Sequence, residues 1–211
     1  MVAEAAAEDA HMSQKKFTPA TAALVLIDHQ LGTMQLVKTL DLDRVKRHTL
    51  ALARAARIIN MPVVLTSSME EYIQGPLLPE FAKILPEAFA SRVKRAGIVN
   101  AWDDPNFVAA IQGTKRRQLI MGGITTDVCL IFPALSAVAE GFEVQAVLDI
   151  SGSPYELSEI TARKRMELGG VQFTATNTII AELAQNWSTP EGGQLIQVLF
   201  QDVLPPISLP T

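Results

Sequence analysis

The chain carries a single cysteine, Cys129, inside the stretch QLIMGGITTDVCLIFPALSAVAEG at residues 118–141. A cysteine thiolate attacks carbonyl and similar sp2 carbons, so the residues around it decide whether it can do chemistry. The apolar residues 119–121 read as a buried strand, Gly122 and Gly123 as a tight turn, and Cys129 as the start of a helix. That helix runs through Ala134, Leu135, Val138 and Ala139 and stops at Gly141. In a first helical turn, free N–H groups and the helix dipole ease ionisation of a thiol. A lone cysteine also serves as a small buried hydrophobe, so partners are required. Asp28 is one candidate. It follows the apolar run AALVLI, which reads as a strand buried on both faces in a parallel sheet. It therefore lies at the carboxyl edge of that strand, where open α/β sheets bind ligands, although Asp more often serves there as a turn residue or cap. Lys94 and Arg95 close a short strand at residues 92–95. Adjacent strand residues point to opposite faces, so at most one of them serves a site at this edge. A Cys–His dyad would need His29, since His48 falls within a helix.

These residues need a scaffold, and the hydrophobic pattern supplies one. Residues 43–59 form an amphipathic helix capped by Asp41 or Asp43, with a basic run read as a solvated face. Residues 62–66 are a second strand. Residues 67–90, with Gly75, Pro76, Pro79 and Pro86, form a long irregular segment holding one short helix near Phe81, Ile84 and Leu85. Loops of that length are often functional or contact another subunit. Residues 97–102 are a loop, and Asp104-Pro105 starts a helix that ends near Gly113. Pro133 cannot donate to the Cys129 carbonyl, which is tolerable in a first turn. A strand at 143–148, a helix at 158–168, a short strand at 171–174 and a helix from Thr178 follow. Strand and helix alternate about six times, which implies a parallel sheet with helices on both faces. The expected division is a flexible extension at 1–16, one domain at 17–187 and a tail at 188–211.

Composition narrows the function classes. With 211 residues and 48% apolar content, the chain is long and apolar enough for a sizeable core. A net charge of −4 argues against nucleic acid as a partner. One cysteine leaves no intrachain disulfide and no cysteine-rich zinc site, as suits a reducing cytoplasmic setting. No apolar stretch reaches membrane-span length, and the N-terminus lacks the pattern of a signal peptide. His11, His29 and His48 show no metal-binding spacing. GxGxxG, GxxxxGK[ST] and GxSxG are all missing, which removes support for nucleotide-binding and nucleophile-elbow readings.

Taken together, Asp28, the basic residue near Arg95 and GGITTDVCLIFPALSAVAEGF resemble the isochorismatase-like cysteine hydrolases. LIDHQLG, VNAWDDPNF, CLIFPALSA and EGFEV are most similar to the YcaC-like hydrolases within that superfamily. The resemblance spans residues 17–187. It implies a three-layer α/β/α fold with a six-stranded parallel sheet in one domain. It also implies Cys129 as nucleophile, Asp28 as the carboxylate that takes its proton, and Arg95 where the family usually carries Lys. A guanidinium does not shuttle protons, so Arg95 would orient and stabilise charge. The resemblance further implies a cis Ile124–Thr125 peptide and an oxyanion hole from the N–H groups of Thr125 and Cys129. Gln30, Asn100 and Trp102 become pocket candidates. The expected substrate is a small molecule with an amide-type C–N bond, cleaved through a thioester. No metal or other cofactor is expected, because the segment TSSMEEYIQGPLLPE lacks the histidines of the superfamily's metal-dependent nicotinamidases. The resemblance also suggests a homo-oligomer, a tetramer or octamer. The rival reading is a non-catalytic member that binds a small molecule or senses oxidants through Cys129.

Overall fold

The structure is a computed structural model, and residues 16–207 are described. Six strands form one sheet: β1 (Ala22–Ile27), β2 (Val63–Ser68), β3 (Val93–Arg95), β4 (Gln118–Gly123), β5 (Glu143–Val147) and β6 (Gln172–Thr174). Every pairing is parallel and the order is β3-β2-β1-β4-β5-β6. The principal helices are α1 (Leu42–Ile58), α2 (Phe81–Ile84), α3 (Pro86–Ala90), α4 (Pro105–Gly113), α5 (Ile131–Ala139), α6 (Glu156–Leu168), α7 (Thr176–Ala184) and α8 (Pro190–Asp202).

Alternation along the strands builds two cores. In β1, Ala22, Leu24 and Leu26 face a cluster with α1, α7 and α8, while Ala23, Val25 and Ile27 face α4, α5 and α6. Successive strand side chains point to opposite faces, so a strand covered on both sides reads as a continuous apolar run. The architecture is thus the expected three-layer α/β/α fold.

Three segments differ from the sequence reading. Residues 188–211, expected as a tail, contain α8, whose Leu195, Val198 and Leu199 are buried in the α1 core. Its prolines misled the reading: Pro190 follows the capping Thr189 and starts the helix, a position that needs no N–H. The α1 basic run is not simply solvated, because Arg54 pairs with Asp202 of α8 at 2.5 Å and Arg57 donates to the carbonyls of Lys83 and Ile84. The long segment after β2 holds two short helices rather than one, and it buries Leu77, Leu78 and Phe81. The extension expected at 1–16 lies outside the described residues except for Lys16.

Candidate active site

Strand order reverses direction between β1 and β4, the place where doubly wound sheets open a crevice. Ile27 and Gly123 are partners there, and the Ile124 N–H donates to the Ile27 carbonyl at 3.0 Å. The next residues on these two strands are Asp28 and the turn that carries Cys129. The fold therefore brings them together directly.

Each is held in an unusual conformation. Asp28 has a φ of 58°, a region uncommon for any residue but Gly and best tolerated by Asn and Asp. Its N–H donates to the Thr66 carbonyl of β2 at 3.0 Å. Cys129 lies in a π-helical turn, Thr126–Leu130, ahead of α5 rather than in the α-helix itself. The Leu130 N–H reaches back five residues to the Thr125 carbonyl at 3.1 Å. Such wide turns are frequent at functional sites. The two glycines before the turn allow close approach: a Cβ on Gly122 would lie 2.4 Å from Ile150 Cδ1, and one on Gly123 3.1 Å from the Leu130 backbone nitrogen. The Ile124–Thr125 peptide is cis.

Arg95 and Lys94 take opposite sides. Arg95 is 2% exposed, and its Nη2 donates to both carboxylate oxygens of Asp28. It reaches across β2, where its Nε donates to Thr66 Oγ1 at 3.1 Å, and its Nη1 donates to the Ile98 carbonyl. Lys94 is half exposed and pairs with Glu70 at 2.9 Å. Glu70 also accepts from Arg92 and Ser67, and these partners hold its carboxyl down at about 2.

Cys129 is partly accessible as a residue, but its thiol faces inward to hydrogen-bond with Asp28. The Thr125 N–H donates to the same sulfur. Burial raises the Asp28 pKa, and the Arg95 charge and hydrogen bonds oppose it. Burial also pushes the Cys129 thiol well above its usual value, reinforced by the neighbouring Asp28 charge and hydrogen bond. The Thr125 N–H and the Arg95 charge pull the other way and are outweighed. This corrects the expectation of an easily ionised thiol at a helix start. Desolvation and a facing carboxylate exceed what a few helical N–H groups supply. The Cys129 thiol thus faces the Asp28 carboxyl directly, with Arg95 on the far side of that carboxyl.

The other candidates fall into framework roles. Gln30 is fully buried, with its amide donating to the Ser68 and Gly75 carbonyls and accepting from the Ser68 N–H. Asn100 accepts from the Trp102 N–H and donates to Asp103 and Ser136. The Trp102 indole donates to Glu140 at 2.8 Å and packs edge-on against Phe107 and Phe142. They brace the loops around the site with their polar groups already engaged. His29 is turned to the Ile150 carbonyl at 2.8 Å, and burial lowers its pKa to about 4. It donates through Nε2 as a neutral ring rather than serving Cys129.

Thr66 and the Ile98 carbonyl, which hold Arg95, were missed by sequence reasoning. Thr66 had a signal, a hydroxyl directly after the apolar run of β2. The Ile98 carbonyl had none, because any residue provides a carbonyl. A cleft of about 830 Å3 between α3, α4 and the start of β2 does not include Cys129, Asp28 or Arg95. Among the described residues, no group of three or more His, Cys, Asp or Glu side chains is arranged to hold a metal ion, and no helix is long and apolar enough to cross a membrane.

This fold and this turn belong to a defined class. The isochorismatase domain model matches residues 22–178, and the chain belongs to the isochorismatase family. More particularly, it is 38% identical to the probable hydrolase YcaC of Escherichia coli K12 over 184 residues, covering 87% of this chain and 86% of that protein. The structure of YcaC from Pseudomonas aeruginosa, which holds hexane-2,5-diol and covalent acrylamide, superposes with a TM-score of 0.86 at 37% identity. It covers 91% of this chain and 94% of that one. The E. coli ycaC gene product, described as an octameric hydrolase of unknown specificity, gives 0.84 at 37% identity, covering 89% and 91%.

Proposed function

We propose that the protein is a metal-free cysteine hydrolase of a small amide-type substrate. The observation that carries this reading is the contact of the Cys129 thiol with Asp28, itself held by Arg95, beside the Thr125 N–H. Asp28 accepts the thiol proton as the sulfur attacks the carbonyl carbon. Its raised pKa makes it a stronger base than an ordinary carboxylate. The oxyanion is held by the N–H groups of Thr125 and Cys129, a contribution of roughly 3 kcal/mol per donor in such sites. The proton passes from Asp28 to the leaving amine. Water then cleaves the thioester and restores the thiol. Arg95 stays protonated throughout. Its Nε, Nη1 and Nη2 all donate to protein groups, so its role is to anchor Asp28 and to stabilise negative charge. The covalent acrylamide of the P. aeruginosa relative supports an electrophile-reactive site in this family. A resting thiol with a raised pKa is a poor oxidant sensor, which disfavours the oxidant-sensing form of the rival reading.

The same reading includes self-association in a cytoplasmic setting, with neither nucleic acid nor membrane as a partner. The loops after the first three strands expose Leu31, Tyr72, Ile73, Ile98 and Val99 around the site. A related protein is described as octameric.

The test is ammonia release from a panel of small primary amides. Turnover of at least one member, abolished in Cys129→Ser, is expected. Release that survives Cys129→Ser, or no release from any amide, would overturn the assignment.

A further inference from the structure

The turn carrying Cys129 is gripped from behind by residues 151–153, which follow β5. Each grips a different element. Ser151 Oγ accepts the Gly123 N–H at 3.2 Å and donates to the Val147 carbonyl at 3.0 Å. Gly152 exchanges two hydrogen bonds with Thr126: its N–H donates to Thr126 Oγ1 at 2.6 Å, and its carbonyl accepts the Thr126 N–H at 2.9 Å. Ser153 donates through Oγ to Glu159 Oε2 at 2.6 Å, and its carbonyl accepts from the N–H groups of Lys38 and Thr39. Glu159 is 2% exposed, and its other oxygen takes Arg163 Nε at 2.7 Å. Gly152 has φ +138°, and a Cβ there would meet Val37 Cγ1 at 2.8 Å, so the loop is seated without slack.

We propose that Thr126 and Glu159 are positioning residues for Cys129, acting through Gly152 and Ser153. Thr126 lies between the two groups that must be aimed, the Thr125 N–H and the Cys129 thiol, and it is the point at which the loop holds them. A buried acid is a costly choice for a merely structural site. Here it fixes a serine hydroxyl whose backbone is one residue from the Thr126 grip. The inference rests on Cys129 being the nucleophile.

The test is the rate of Cys129 alkylation by iodoacetamide from pH 6 to 10, read as intact mass on the full chain. The chain has one cysteine, so the adduct reports this site alone. Thr126→Val keeps the shape and removes the hydroxyl. Alkylation is expected to slow about tenfold, since small misplacements of reacting groups are costly. Its midpoint should move to higher pH as the Thr125 N–H loses its aim at sulfur. Thr126→Ser restores the hydroxyl and should recover the wild-type profile. Glu159→Gln should slow alkylation about threefold or more. It decides alone if Thr126→Val does not fold by circular dichroism. A folded Thr126→Val or Glu159→Gln with wild-type rate and profile overturns the proposal, as does a Thr126→Ser no better than Thr126→Val. A wild-type thiol inert at every pH would instead remove the nucleophile reading, and this proposal with it.

Discussion

The contact between Asp28 and the Cys129 thiol sets the character of the site. Many reactive cysteines are held as thiolates by positive surroundings. Here the thiol faces a buried carboxylate, so in the proposed mechanism the nucleophile is generated during attack rather than stored. His29, the neighbour of Asp28, adds a separate pH dependence. Its folded pKa of about 4 lies below the unfolded value of 6.5, so the unfolded chain binds the extra proton first as pH falls. The stability from a neutral His29 is therefore fully present above pH 6.5 and is lost as pH drops toward 4. It amounts to roughly 3 kcal/mol at one pKa unit per 1.4 kcal/mol. Urea midpoints measured across that window should fall for the wild type and fall less for His29→Gln. Equal slopes would contradict this account of His29.

At the scale of elements, what was legible followed periodicity and capping. The β1 run and the Asp104-Pro105 helix start were readable, because each depends on neighbouring residues only. Around Cys129 the strand was readable, but Gly122 and Gly123, expected as a tight turn, are the paired end of β4, and Cys129 lies in a π-helical turn before α5. What was hidden depended on distant partners. The α8 helix is apolar on one face, but its function as a cover for α1 is set by packing across the fold. The choice between Lys94 and Arg95 could not come from the strand alone. It needed Glu70 on one side and Asp28 with Thr66 on the other. The direction of the Cys129 pKa was also out of reach, since desolvation and the facing charge arise only when β1 and β4 pair.

At the scale of the whole molecule, the proposed chemistry and the proposed association share the carboxyl edge of the sheet. The loops there leave Tyr72 67% and Ile73 90% exposed, a poor arrangement for an isolated chain. Size-exclusion chromatography with light scattering should give a mass several times the 22.9 kDa chain. Ile73→Lys should shift the population toward smaller species, and a wild-type monomer would contradict self-association.

The central claim, that Asp28 activates Cys129, is tested most directly by acrylamide addition followed as intact mass in the wild type and in Asp28→Asn. The thiol adds to the terminal alkene carbon, so the product carries the full mass of the reagent. At pH 7.5 the wild type should form one adduct, mapped to Cys129, and Asp28→Asn should form it about 100-fold more slowly, the usual effect of losing a general base. An Asp28→Asn variant that folds and reacts as fast as the wild type would contradict the mechanism.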